Sequence, residues 1–362
     1  MSVPKTTFLK GKMTYNSPKE FAEINKMELY QYSAEPEDLE LRKAAVQRQY
    51  ADEIKNSAFE IDQQYNSVNT GFQQVINLII EEFFSILPEQ VVTNFKTHFY
   101  FTTIENRTIN ASVRRSSDLQ YFGIFINSAL INLLTKLGKL DQAVTNPECI
   151  VFCNRVPDSK PGVEEIKLMR NEMYQYFTTE KMAFGPYLII KGIEKQSHFN
   201  KLNIQEKLII FPEIGHFLNG DLFNGKKVQA VKKGFANISY QREFHADLVG
   251  FGLLLMLEKK SGTLILERRL DILFAIIALF DVMYGLQGIE TDSYPHPLDR
   301  LMFLIENFYG IQYAEIVHKT YSNRNEFMKL MPDVCPPIDS VENKVEDHIN
   351  QALVEAFNKN SW

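Results

Sequence analysis

The sequence predicts a mainly helical α+β fold, and three features of the residue pattern carry this prediction. Residues 70–87 place apolar side chains at helical spacing and stop at Pro88. Residues 268–284 are apolar on nearly all sides, which is typical of a central helix. Thr97–Ile104 instead alternates aromatic and polar residues, which indicates a strand. With 45% hydrophobic and 12% aromatic residues, the chain has ample material for a packed core.

The other segments are assigned from the period and length of their apolar pattern. Further helices are predicted at Glu37–Tyr65, Asp118–Leu137, Glu164–Phe177 and Val341–Phe357. The first of these has only a thin apolar stripe, so we expect it to be exposed or partly docked. The last has one apolar face and is expected to dock on the body of the protein. Short strands are predicted at Cys149–Cys153 and Pro186–Ile193.

Charge and the length of apolar runs limit the classes of partner. The net charge of -6 argues against nucleic acid as the main partner, since such domains usually carry a basic face. The longest apolar runs, Leu248–Leu257 and Ile272–Phe280, are much shorter than the roughly 20 residues of a membrane span. They therefore predict buried helices. Residues 1–13 lack a secretory apolar stretch, and the 3 cysteines lack zinc or redox spacing. We expect a soluble, cytoplasmic protein.

Metal-competent side chains interrupt an apolar run at residues 203–221. Glu213 and His216 match the last two chemical positions of His-Glu-x-x-His, the helical zinc motif of zincin peptidases. In that motif two histidines on one helix face bind the metal, and the glutamate activates a water. Pro212 stands where the first histidine belongs. Because proline has no donor atom, one metal ligand of the motif is missing.

A second segment places two carboxylates beside two small residues on one helix face. Glu243, Ala246, Asp247 and Gly250 occupy positions i, i+3, i+4 and i+7. The small residues would let this helix approach the first one closely. A carboxylate of the second helix could then reach a metal held by the first helix.

A third segment, residues 293–300, carries His296 and Pro297 at an expected helix start and Arg300 in its first turn. The three segments together resemble the gluzincin zinc metallopeptidases, in particular the HtpX and CAAX-prenyl-protease family, and they follow the family's order. The Lit phage-exclusion peptidase has a similar arrangement of motifs. The resemblance to the metallopeptidase family covers residues 203–305. The resemblance to the Lit peptidase suggests, by analogy alone, a protein target in phage defence.

The resemblance implies a division of the chain. It predicts an N-terminal extension at 1–66, a mixed α/β part at 67–155, a zincin-like metallopeptidase core at 156–335 and a C-terminal docking helix at 336–362. It also makes Pro186–Ile193 a candidate for the edge strand that holds extended substrate above a zincin cleft, although its pattern would suit any core strand equally well.

The resemblance also implies roles for individual residues. Glu213 would be the general base, and His216 and Glu243 would be the zinc ligands. Asp247 would support an imidazole, and His296 would donate a hydrogen bond to the oxyanion. The residues themselves leave His296 open between catalysis and helix capping, and they favour a structural ion pair for Arg300.

Pro212 affects both the metal site and the backbone. Loss of one ligand would weaken zinc binding roughly a hundredfold or more, which leaves the site mostly empty. His198 and His296 are the candidates to replace it, whereas His245 should face away from the site. Pro212 lies either inside a helix that runs from Asn203 to Leu218 or at the start of a shorter helix after an extended segment.

Two functions follow from these observations. The first is a zinc endopeptidase impaired by the missing ligand. The second is a pseudopeptidase that binds a peptide or protein without cleaving it. Chemistry at Pro212 favours the second, while the surviving Glu213, His216 and Glu243 favour the first. In both cases the expected partner is a protein or peptide.

Overall fold

The computed structural model describes residues 15–29, 70–104, 111–152, 162–179, 188–222, 238–287 and 294–320, together with 347, 349–353 and 355–357 near the C-terminus. The described fold is mainly helical with a small mixed sheet, as predicted. Its strands are β1 Phe99–Ile104, β2 Ser112–Arg115, β3 Phe122–Asn127, β4 Ile150–Phe152 and β5 Leu188–Ile190. Its helices are α1 Pro18–Leu29, α2 Thr70–Ser85, α3 Glu89–His98, α4 Ser128–Thr145, α5 Val163–Thr179, α6 Ile193–Leu218, α7 Ile238–Lys260, α8 Leu266–Gln287, α9 Pro297–Phe308 and α10 Ile311–Thr320.

The larger sheet has the order β1-β3-β2, so β2 forms one of its edges. β1 runs parallel to β3, with Phe99 opposite Phe122. β2 runs antiparallel to β3, with Val113 opposite Ile124. A separate two-stranded sheet pairs β4 with β5.

One predicted helix is partly wrong. Residues 122–127, which were expected to be helical, form the central strand β3, and every one of its side chains is buried. A strand covered on both faces has a continuous apolar run, which cannot be told from a buried helix by its period. The helix begins only at Ser128, where the Asn127 side chain caps it by accepting a hydrogen bond from the N–H of Ala129 at 3.0 Å.

The core is dominated by phenylalanine rings that join the sheet to the central helices. Phe99 of β1 stacks on Phe122 of β3 at 4.7 Å, and the ring of Phe217 from α6 meets both rings edge-on. Phe357, near the C-terminus, packs against Phe217 at 5.4 Å. Ile349 and Leu353 of the same C-terminal segment are also buried.

The long helix α6 decides between the two positions predicted for Pro212, inside a helix or at its start. It runs from Ile193 to Leu218 with Pro212 inside it, so the interior reading is confirmed. It begins well before Asn203, so the predicted start of this helix at Asn203 is wrong. The apolar runs at 248–257 and 272–280 lie within α7 and α8, as predicted.

Some predicted features lie outside the described residues. These are the exposed helix at Glu37–Tyr65, Cys153 and Cys335. Cys149 is buried, as expected for a core cysteine. Within the described part of the chain, no helix has the length and apolarity that crossing a membrane requires.

Candidate functional site

The three motif segments meet at one cleft with a volume of about 310 Å³. The cleft lies between the edge strand β2, the C-terminal half of α6 and the start of α7. Its chemically relevant lining residues are Val113, Pro212, Glu213, His216, Asp221, Ser239, Arg242, Glu243, Tyr294 and Arg300. Its volume is at the lower end of the range of sites that bind small molecules and peptides.

The two helices that carry the motif cross at unusually short distance because their contact residues are small. A Cβ atom on Gly215 would stand 2.6 Å from the carbonyl oxygen of Ala246. A Cβ atom on Gly250 would stand 2.5 Å from the nitrogen of Pro212. The close approach predicted from Ala246 and Gly250 is therefore confirmed, and it brings Glu243 of α7 against His216 of α6.

His216 and Glu243 have a geometry that two ligands of one ion would show. The Nε2 atom of His216 lies 3.5 Å from Oε1 of Glu243. In a tetrahedral zinc site with bonds of about 2.0–2.1 Å, neighbouring donor atoms are roughly 3.3 Å apart. The other ring nitrogen, Nδ1, forms a hydrogen bond with Oδ2 of Asp221 at 2.8 Å. A carboxylate in this position commonly orients a metal-binding histidine.

Glu213 faces the same cleft from the turn of α6 before His216. The pKa of Glu213 is raised to about 7, because burial, together with the charge of Glu243, outweighs the lowering by His216, Arg300 and the backbone of Val113. A carboxyl group with a pKa near neutrality can both accept and return a proton at physiological pH. This is the electrostatic property that the predicted role of Glu213 as a general base requires.

His216 is surrounded by carboxylates. Burial lowers the pKa of the imidazole, but the hydrogen bond with Asp221 and the charges of Glu213 and Glu243 outweigh it and raise this pKa to about 9. The ring of the ion-free protein therefore carries a proton at neutral pH. Since a histidine must be neutral to bind a metal, an incoming cation has to displace that proton.

Asp247 contacts an arginine rather than an imidazole. The guanidinium of Arg300 donates to both carboxylate oxygens of Asp247, at 2.7 Å each, and its Nη2 lies 3.7 Å from Oε2 of Glu243. The predicted support of an imidazole by Asp247 is thus replaced by an ion pair, because Asp221 already holds His216. The prediction that Arg300 forms a structural ion pair is confirmed.

His296 caps a helix and is not among the residues that line the cleft. Its Nδ1 accepts a hydrogen bond from the N–H of Leu298 at 3.2 Å, and its ring lies against Tyr284. Capping is one of the two roles that the sequence left open. From the same segment, Tyr294 lines the cleft instead, and it interacts electrostatically with Arg300.

The donor set does not fit a catalytic zinc site, which needs three protein ligands. Pro212 lines the cleft one helical turn before His216, which is the position of the first histidine of the motif. His198, a proposed replacement ligand, is buried elsewhere in α6, and a Cβ atom on Gly138 would stand 2.8 Å from its ring. Among the described residues, no group of three or more His, Cys, Asp or Glu side chains is arranged to hold a metal.

The strand that borders the cleft is β2, whereas β5, the described part of Pro186–Ile193, pairs with β4 in the other sheet. Sequence reasoning could not rank these strands, because the short half-buried β2 has no clear alternation. It also gave no role to Asp221, Arg242 and Tyr294. Each of the three lies within or next to a motif segment, and this proximity was the available signal.

No protein-family model, curated protein or solved structure matches this chain. The function is therefore inferred from the cleft itself.

Proposed function

We propose that this chain is a gluzincin-type metallopeptidase-like protein whose cleft binds an extended peptide, and that its hydrolytic activity is impaired. The observation that carries the proposal is the 3.5 Å separation between Nε2 of His216 and Oε1 of Glu243, with Glu213 on the same cleft. The close crossing of the two helices at Gly215 and Ala246 brings His216 and Glu243 to the same cleft as Glu213.

The edge strand β2 supports a peptide as the occupant. β2 pairs with β3 on one side, and the backbone of Val113 forms a hydrogen bond with Glu213 at the cleft. Edge strands present unpaired N–H and C=O groups to which an extended peptide can add as a further strand. A peptide that adds beside β2 would lie across Glu213.

Impairment follows from the missing donor at Pro212. In a complete site, zinc lowers the pKa of its bound water to about 7 and so supplies a nucleophile at neutral pH. Among the described residues, we assign His216 and Glu243 to that purpose. Glu213 retains the position and pKa of a general base, but it lacks an activated water. We therefore propose peptide binding without efficient cleavage as the present activity.

A second candidate is a zinc peptidase with residual activity. It is favoured by the hydrogen bond between Asp221 and Nδ1 of His216, since this contact orients a ligand and has no clear purpose in a pure binding cleft.

Zinc content discriminates these candidates. The purified protein is compared with Pro212→His, which restores the donor, and with Pro212→Ala, which removes the proline but adds no donor. We expect about one zinc per chain, with cleavage of a casein substrate, in Pro212→His alone. Stoichiometric zinc in the unaltered protein would establish the second candidate. Absence of zinc from Pro212→His, if that variant folds as judged by circular dichroism, would overturn the metallopeptidase ancestry.

Peptide binding is tested separately by fluorescence polarisation with fluorescein-labelled degenerate octapeptides. Val113→Pro replaces the backbone N–H that donates to Glu213 with a ring that blocks pairing of a further strand at this edge, and proline is tolerated on an edge strand. We expect this variant to lose binding, while Lys259→Gln, on the exposed far end of α7, retains it. Equal binding by Val113→Pro and the unaltered protein would contradict addition of the peptide beside β2.

A further inference from the structure

Arg242 lines the cleft, and its side chain has only a long contact with a carboxylate of the fold. It lies near the start of α7, and Ser239, one helical turn earlier, also lines the cleft. Its side chain is 39% exposed, yet its Nε atom is buried and has no hydrogen-bond partner among the described residues. The Nε atom lies 3.7 Å from Oδ1 of Asp221, which is too far for a hydrogen bond. The fold therefore leaves the guanidinium of Arg242 without a close carboxylate partner, although its side chain is partly exposed at the cleft.

The other cationic side chains of the cleft, Arg300 and His216, already contact carboxylates of the fold. Arg300 donates to both oxygens of Asp247 and lies beside Glu243. His216 contacts Asp221 through Nδ1 and Glu243 through Nε2. Within the described part of the cleft, Arg242 is thus the cation with the weakest contact to a carboxylate.

Asp221 does not form a hydrogen bond with the Nε atom of Arg242. Its Oδ2 atom is engaged by His216, and its side chain is 5% exposed, so it has little freedom to turn. Its Oδ1 atom also lacks a hydrogen-bond partner among the described residues. The two unsatisfied atoms lie 3.7 Å apart, and the partly exposed side chain of Arg242 lines the cleft.

We infer that Arg242 binds a carboxylate of the peptide in the cleft, so that the preferred ligand carries an acidic side chain or a free C-terminus at one fixed position. This inference rests on the proposed peptide-binding function. A guanidinium matches a carboxylate with two parallel hydrogen bonds, which gives direction as well as charge. The positive N-terminal end of α7 attracts the same group.

The surrounding carboxylates make this preference specific to one position. Glu213, Glu243 and Asp221 also face the cleft, and they would repel an acidic residue placed elsewhere along it. A peptide with one carboxylate beside Arg242 and neutral residues over Glu213 and Glu243 avoids this repulsion. Arg242 would thereby set the register of the peptide relative to Glu213.

The test uses fluorescein-labelled octapeptide libraries that are degenerate except at one position, which is fixed as Glu, Gln or Lys in turn. Each library is prepared with a free and with an amidated C-terminus, so that a side-chain carboxylate is distinguished from a terminal one. Polarisation is measured with the unaltered protein, Arg242→Gln, Arg242→Lys and the control Lys259→Gln. Thermal unfolding of each variant checks that the fold is retained.

We expect the unaltered protein and Lys259→Gln to prefer Glu over Gln at one position, or the free over the amidated terminus, by roughly tenfold or more. Arg242→Gln should lose this preference while it still binds the neutral libraries, and Arg242→Lys should keep part of it. Binding of all libraries without any carboxylate preference, or an unchanged preference in Arg242→Gln, would overturn the role of Arg242 and leave peptide binding intact. No binding of any library by any of the proteins would overturn both proposals.

Discussion

Gly215 of α6 contacts the backbone of Ala246 in α7 so closely that a Cβ atom on Gly215 would stand 2.6 Å from the Ala246 carbonyl oxygen. Real Cβ atoms do not approach a neighbouring backbone to this distance. The crossing point therefore depends on the absence of a side chain at residue 215. It also sets the site, because His216 follows Gly215 directly and Glu243 lies one helical turn before Ala246.

We predict that Gly215→Ala destabilises the protein, although glycine to alanine inside a helix normally stabilises by roughly 0.5–1 kcal/mol. The added methyl group meets backbone and cannot be accommodated by a side-chain rotation, so the expected loss is about 1–3 kcal/mol. Urea unfolding followed by circular dichroism measures it. Gly162→Ala is the control, since a Cβ atom there would have nothing within 4 Å. Equal stability of Gly215→Ala and the unaltered protein would disprove the tight crossing.

The ion pair of Arg300 and Asp247 predicts a strong dependence of stability on either partner. Arg300→Leu would leave the carboxylate of Asp247, which is 3% exposed, without a counter-charge, at an expected cost of about 3–5 kcal/mol. The double variant Arg300→Leu with Asp247→Leu should recover most of this loss, because well-packed apolar residues can replace a buried pair. Denaturant unfolding of the unaltered protein, Arg300→Leu, Asp247→Leu and the double variant gives the coupling free energy between the two residues. Lys167→Gln, which breaks the exposed pair with Glu164, should leave stability nearly unchanged.

Glu206, buried in α6, predicts a loss of stability toward alkaline pH. Burial raises the pKa of its carboxyl from an ordinary value of 4.5 to about 8, although the charge of Lys207 opposes the increase. Between pH 4.5 and about pH 8 the folded protein holds a proton that the unfolded chain releases, so the free energy of unfolding falls as pH rises through this range. Glu206→Gln should remove this slope and be more stable than the unaltered protein at pH 9, by an amount on the order of a few kcal/mol. Parallel stability curves of the two proteins from pH 5 to 9 would refute the prediction.

His198 predicts the opposite slope at acid pH. Burial, together with the charges of Lys139 and Lys201, lowers the pKa of its imidazole from 6.5 to about 3. As pH falls through this window the unfolded chain takes up a proton that the folded protein excludes, so stability decreases toward pH 3. His198→Leu should be less sensitive to acid than the unaltered protein. Thermal unfolding at pH 7 and pH 4 compares them, and an equal acid loss in both proteins would show that His198 is not held neutral in the fold.

Local patterns predicted most helices, and their failures have physical causes. Glu213, His216 and Glu243, which were selected because metal motifs fix residue types at fixed spacing along a helix, line one cleft. Residues 122–127 were assigned to a helix because a strand buried on both faces has no alternation to reveal it. Asp247 was predicted to support an imidazole because the sequence does not show that Asp247 and Arg300 are in contact.

The sequence by itself determined the helical character of the chain, the pairing of small residues with carboxylates on one helix face, and the missing donor at Pro212. These properties depend on residues close together along the chain, whose relative positions a helix fixes. Only the tertiary structure decided that Asp221 holds His216, that β2 borders the cleft, and that Arg242 is left with a weak contact. The positions of β2 and Arg242 depend on how segments distant in sequence pack, while the contact between His216 and Asp221 depends on the turn at the end of α6, and the spacing of residues along a helix specifies neither.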